Sequence, residues 1–119
     1  MIKRRKTRSV QVGDLIIGSE SHISVQSMCA TRTQSIEATI RQIRLIEEAG
    51  ADIIRIAIDS KKDVEALAEI RKSVPKARLV IDLQENYRLI TLVAPYVQKV
   101  RYNPGHLHHH EKNTPVIEK

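Results

Sequence analysis

Strand-like and helix-like patterns of apolar residues alternate along nearly the whole chain, and that alternation restricts the fold more than any other feature. Ile23–Met28 reads as a first core strand. Ser35 to Ala49 carries Ile36, Ile40, Ile43 and Ile46 on one helical stripe, with Glu37 in the first turn and Gly50 after the end. Ile53–Ala57 is a second strand. Ser60 and Asp63 have the spacing of a capping box, opening a helix with Val64, Leu67 and Ile70 inward and Pro75 beyond its end. Arg78–Asp82 is a third strand, Asn86 to about Ala94 a short helix stopped by Pro95, and Val97–Tyr102 a fourth strand ending at the turn Asn103-Pro104-Gly105. Thr114 to Lys119 has the composition of a helix just beginning. Ahead of all this, Ser9–Val12 and Leu15–Ile17 flank Gly13-Asp14, which predicts a β-hairpin with its turn residues in the less common order.

Strands joined by helices at such intervals run parallel, because the crossover returns the chain to the same end of the sheet. The strands are apolar on both faces, as expected of a sheet covered on both sides. An open doubly wound sheet and a (β/α)8 barrel both accommodate four such units. No Gly-rich phosphate loop follows the first strand, where a nucleotide-binding sheet would carry one, and the leading hairpin is placed to plug the N-terminal mouth of a barrel. A complete barrel takes about 250 residues, so 119 residues with four strands are expected to form its N-terminal half. Residues 1–22 are read as a basic arm and hairpin, and residues 23–119 as a partial barrel.

The net charge of +6 is confined to the arm. Lys3, Arg4, Arg5, Lys6 and Arg8 precede every acid, and removing those five from the 20 basic residues leaves 15 against 14 acids. A nearly neutral body with three Tyr and no Phe or Trp offers little for stacking bases, so no nucleic-acid partner is expected and the arm reads as a solvated terminus. No apolar run is long enough to span a membrane and no signal-peptide pattern follows the basic start; a cytoplasmic location is expected. Cys29 is the one cysteine, so this chain alone builds neither a disulfide nor a cysteine-ligated cluster.

In parallel α/β folds the reactive surface lies at the C-terminal ends of the strands. Those ends deliver Gln26, Ser27, Met28 and Cys29, then Arg55 and Asp59, then Asp82 and Gln84, then Arg101 and Asn103. Arg55 and Arg101 are the informative members, because a guanidinium on a buried-type strand needs an anionic partner. That partner is either an internal carboxylate such as Asp82 or Asp52, or the phosphates of a ligand, which guanidinium forks suit. Asp82 is a base, an anchor or an arginine partner. Asn103 orients a ligand or makes a turn. Cys29 reads as a packed residue rather than a nucleophile. His106, His108, His109 and His110 read as a solvated loop, and no dedicated metal site is expected.

Several strings carry a more specific resemblance. Arg4-Arg5-Lys6-Thr7-Arg8 before Val10-x-Val12-Gly13, Ile23-Ser24-Val25-Gln26-Ser27-Met28, Glu37-Ala38-Thr39 with Gln42-Ile43, Glu48 to Arg55, Asp82 with Tyr87-Arg88, and Arg101-x-Asn103-Pro104-Gly105 stand in this order. Together they resemble the opening of the hydroxymethylbutenyl diphosphate synthases. The resemblance covers residues 4 to about 105. It implies an oxidoreductase of the methylerythritol phosphate route to isoprenoids, with a TIM barrel that binds methylerythritol cyclodiphosphate. It also implies a separate C-terminal domain, absent from this chain, that carries a [4Fe–4S] cluster reduced by ferredoxin or flavodoxin, and a homodimer of the intact enzyme. By motif match, Arg55, Arg101, Asn103 and Asp82 are substrate-binding residues; no catalytic residue is assigned. Gln84 and Asn86 stand where the family pattern has His and Asp, His106-Leu107-His108 follows the turn where it has Asn-Ile-Gly, and Cys29 replaces a Thr. Three readings follow: the binding part of the reductive synthase, inactive in redox chemistry alone; a diverged non-catalytic remnant that binds a diphosphate or docks on a relative; or another phosphate-binding barrel.

Overall fold

The computed structural model describes residues 2–84 and 86–105, so the His106–His110 cluster and the helix expected from Thr114 lie outside the described residues. Strands β1 (Val10–Val12) and β2 (Leu15–Ile17) form the antiparallel hairpin, with Val12 opposite Leu15. Gly13 has φ +61° while Asp14 is not in the left-handed region. Positive φ at the first central residue alone belongs to a type II′ turn, which explains the Gly-Asp order. Strands β3 (Gln26–Met28), β4 (Ile53–Ile58), β5 (Leu79–Leu83) and β6 (Lys99–Tyr102) then form one parallel sheet in chain order. Helix α1 (Ile36–Glu48) joins β3 to β4, and α2 (Lys61–Ser73) joins β4 to β5. Between β5 and β6 lies α3 (Ile90–Val93), flanked by 3-10 turns at Tyr87–Leu89 and Ala94–Tyr96. Pro95 sits inside the second of these turns, near its start, where the missing N–H is no loss.

The two faces of the sheet are covered differently. Ile54, Ile56, Ile58, Leu79, Ile81 and Leu83 point to one side, where they share a single core with Ile43 of α1, Leu67 and Ile70 of α2, and Val93 of α3. Ile53 and Val80 point to the other side and meet Leu15 and Ile17 of the hairpin. With every helix among the described residues on one face, the sheet is the wall of a partial barrel and not a doubly wound layer, in which helices occupy both faces. The hairpin covers the inner face only at the N-terminal end of the strands. Further along, that face turns from Ile53 and Val80 to Arg55 and Asp82, so the expectation of apolar cover on both sides fails where the charged residues begin.

Local signals account for most boundaries. Ser60 and Asp63 form the capping box: Asp63 N–H donates to Ser60 Oγ at 3.3 Å and Ser60 N–H to Asp63 Oδ2 at 3.1 Å. Gly50 adopts φ +101° after α1. β3 is shorter than the apolar run Ile23–Met28 predicts. Val25 N–H donates to the side chain of Asp52 at 2.9 Å rather than to a strand, and Ile23 is 77% exposed. The basic arm is exposed and touches the body through Ser19 N–H on Thr7 Oγ1 at 2.7 Å and the Lys6–Glu20 pair at 3.7 Å. No helix among the described residues is long and apolar enough to cross a membrane.

Two arginines lock the N-terminal end of the sheet. Arg71 donates to the carbonyls of Tyr96, Val74 and Ala77 and to Gln98 Oε1, tying α2 to the starts of β5 and β6. Arg78 holds the hairpin by a two-point contact on Asp14, at 2.7 and 3.2 Å. The Arg78 hydrogen bond holds the Asp14 carboxyl below its ordinary range, and the Val25 N–H followed by His22 does the same for Asp52. A carboxylate depressed by folding stabilises the fold above its unfolded pKa, about 4, and loses that contribution as pH falls through the folded value. The melting temperature is therefore expected to fall between pH 5 and pH 3 by roughly the same reasoning. Asp14→Asn should lie below the parent at neutral pH and converge on it at the acid end; parallel curves at all pH values would remove Asp14 from this account.

Candidate functional site

Register brings the charged residues of three strands together. Arg55 of β4 lies beside Met28 of β3 and Val80 of β5, while Asp82 of β5 lies between Ala57 of β4 and Arg101 of β6. All of these share the inner face. Asp82 is 4% exposed and accepts from Arg101 Nη1 at 3.0 Å, and its other oxygen is 3.6 Å from Arg55 Nε. Of the two partners expected for the arginines, the internal carboxylate is present, and it is shared. Asp52 serves elsewhere, accepting from Val25 and His22.

One buried carboxylate between two guanidinium groups leaves one excess positive charge facing the concave side of the sheet. The arginine side chains are 29% and 44% exposed, so both keep a solvent-facing edge. Arg55 Nη2 donates to Met28 Sδ at 3.3 Å, and its Nε is buried with no hydrogen-bond partner among the described residues. Thioether sulfur is a weak acceptor, so Arg55 is the less satisfied of the pair. Asp82, accepting from one arginine and flanked by the other, has the setting of an anchor that fixes both rotamers and not of a base awaiting a proton.

The other sequence candidates fall in different places. Asn103 lies just past β6 and its Oδ1 accepts from Gly105 N–H at 3.0 Å, closing its own turn. Cys29 is 7% exposed within the core shared with the helices, where burial pushes its thiol up to about 11. Gln84 is exposed at the end of β5, and Asn86 is partly buried and accepts Leu89 N–H through its carbonyl.

A feature missed from the sequence lies beside this group. Thr31, Arg32, Thr33 and Gln34, from the loop between β3 and α1, line a cleft of about 340 Å3 with Ala57, Asp59 and Asp63. Helix α1 builds the loop. Gln42 accepts from Ala30 and Thr31 N–H, and Thr39, with no exposed surface, shares its one hydroxyl proton between the carbonyl oxygens of Arg32 and Ser35, at 3.0 and 2.9 Å. Thr33 donates to the Ala57 carbonyl at 2.6 Å, next to Asp82 in the neighbouring strand. The available signal was Thr-x-Thr beginning three residues after a strand, in a loop at the reactive end of the sheet.

Residues 7–119 match the family described as GcpE TIM-barrel domain. The chain is 53% identical over 118 residues to a 4-hydroxy-3-methylbut-2-en-1-yl diphosphate synthase (flavodoxin) of Rhodopirellula baltica, covering 99% of this chain and 31% of that protein. Proteins of the same name from Exiguobacterium sibiricum and Ruminiclostridium cellulolyticum are 42% and 47% identical, covering 98% and 89% of this chain and 32% and 30% of theirs. The chain thus spans about a third of the length of the curated relatives it matches.

Proposed function

Because this chain belongs to the GcpE TIM-barrel family, we propose that it is the diphosphate-gripping wall of a hydroxymethylbutenyl diphosphate synthase barrel in isoprenoid biosynthesis. The ligand in this reading is methylerythritol cyclodiphosphate, and the electron donor of the intact enzyme is the flavodoxin of the relatives' names. The observation that carries the reading is the Arg55–Asp82–Arg101 group on the inner face of the sheet. Asp82 holds the two guanidinium groups in fixed positions before a ligand arrives, so little side-chain entropy is lost on binding. Arg101 spends one N–H on Asp82, Arg55 stands 3.6 Å from it as an ion-pair partner, and both keep N–H donors for phosphate oxygens. Asn103, the residue after β6, lies at the same end of the sheet and joins the group by motif match.

The iron–sulfur cluster implied by the family does not fit the residues of this chain. A cluster needs several thiolates, and the one cysteine is buried with its thiol pushed up to about 11. Among the described residues no group of three potential ligands could hold a metal ion. The chemistry assigned to this chain is therefore binding and orientation alone.

Calorimetric titration of the 119-residue chain with inorganic pyrophosphate tests the reading. Saturable one-site binding is expected, and Arg101→Gln should weaken it by roughly 10- to 100-fold, the worth of a charge-assisted hydrogen bond. Arg101 is the better first target because its side chain is 44% exposed and its loss disturbs the fold least. Heat signals that scale with salt and are equal in both proteins would defeat the proposal.

A further inference from the structure

Two sulfur atoms adjoin in the sequence at the end of β3 and face opposite ways. Cys29 is packed into the helix-side core at 7% exposure, whereas Met28 is 37% exposed on the inner face with its sulfur 3.3 Å from Arg55 Nη2. Beside it, the Arg55 Nε–H is buried without an acceptor among the described residues. The sulfur of a partly exposed methionine, a poor acceptor, and an unused donor therefore meet at one point of the proposed anion grip.

We propose that Met28 is a reversible oxidation site and that its sulfoxide takes over Arg55. In the step, a sulfur lone pair attacks one oxygen of a peroxide; the S–O bond forms as the O–O bond breaks. A proton shift releases water from hydrogen peroxide, or an alcohol from an organic one. Sulfur loses two electrons and the peroxide gains them. The product oxygen is a much stronger hydrogen-bond acceptor than the thioether it replaces, and it forms beside the donors of Arg55. Engaging them ties the guanidinium to β3 and withdraws it from an incoming phosphate. The neighbouring thiol escapes, because oxidation of cysteine runs through the thiolate and burial keeps Cys29 protonated and covered. The effect on ligand binding rests on the diphosphate reading above; the modification and its contact with Arg55 do not.

The test treats the chain with a small excess of hydrogen peroxide and follows it by peptide mapping, by the Nε–H resonance of Arg55, and by pyrophosphate calorimetry. One added oxygen on Met28 is expected while Cys29 remains a free thiol, together with a displaced Arg55 resonance. Pyrophosphate affinity should fall about 3- to 10-fold, the value of one hydrogen bond, and methionine sulfoxide reductase should restore it. Met28→Leu, whatever affinity it starts from, should show none of these responses to peroxide. Oxidation of Cys29 ahead of Met28, or an Arg55 resonance unmoved after Met28 is oxidised, overturns the proposal. If the untreated chain does not bind pyrophosphate, the diphosphate reading fails, while the mapping and the resonance still decide the fate of Met28.

Discussion

Asp82→Asn is expected to destabilise the chain by about 2 kcal/mol, below the range for a fully buried pair because the two arginines left behind are 29% and 44% exposed. The substitution keeps the shape of the side chain and removes its charge. Asp82 is 4% exposed, and both of its oxygens face guanidinium groups. An amide offers one oxygen and turns its NH2 toward the second arginine, so two positive charges are left facing each other over a neutral group. Urea denaturation measures the loss. The companion variant Asp82→Asn with Arg101→Gln should recover part of it, because the repulsion is relieved when one guanidinium goes. Additive losses in the double variant would mean that the three residues do not act as a unit. Pyrophosphate should raise the unfolding midpoint of Asp82→Asn, since an anion supplies the missing charge.

Ile81→Ala should be the more severe change, at about 4 kcal/mol, and Val80→Ala the milder, at about 2 kcal/mol. Both side chains have no exposed surface, but they sit on opposite faces. Ile81 belongs to the core formed with α1, α2 and α3, where helices on several sides hold the surrounding side chains in place. Val80 is covered by Leu15 and Ile17, and the hairpin that carries them is joined to the sheet largely through Arg78 and Asp14. It can settle into the space left by a smaller residue. The comparison by urea denaturation thus reports which face carries the fold. Equal losses would mean that the hairpin is as rigid a cover as the helices.

Much of this architecture was legible from the pattern of residues. The stripe Ile36, Ile40, Ile43, Ile46 and the capping box at Ser60 and Asp63 became α1 and α2 because both signals are local, set by helix geometry and by one side chain closing on its own turn. That Arg55 and Arg101 need an anionic partner was also legible, since a guanidinium on such a strand cannot stand alone, but the choice between an internal carboxylate and a ligand stayed open. The identity of the shared acid was not legible. It depends on the register that places Asp82 opposite Arg101 and one step from Arg55, which is a property of strand pairing between distant segments. The length of β3 was misjudged because Asp52, far along the chain, captures the N–H of Val25. The half barrel expected from the missing Gly-rich loop and the leading hairpin puts the helices on one face, as the structure has them, although the isoleucine stripe alone specifies a buried face and not which face of the sheet will bury it. The cleft at Thr31–Gln34 went unseen because its walls come from a loop held by Thr39 and Gln42, whose roles appear only in three dimensions.

The most direct test of the central claim is a titration with methylerythritol cyclodiphosphate, observed through the arginine Nε–H resonances. Arg55 and Arg101 are expected to shift together in one saturable process. Arg71 and Arg78, committed to backbone oxygens and to Asp14 at the opposite end of the strands, should stay in place. Stationary Arg55 and Arg101 resonances, or parallel drift of all four, would contradict the account and leave the Arg55–Asp82–Arg101 group as a structural ion pair.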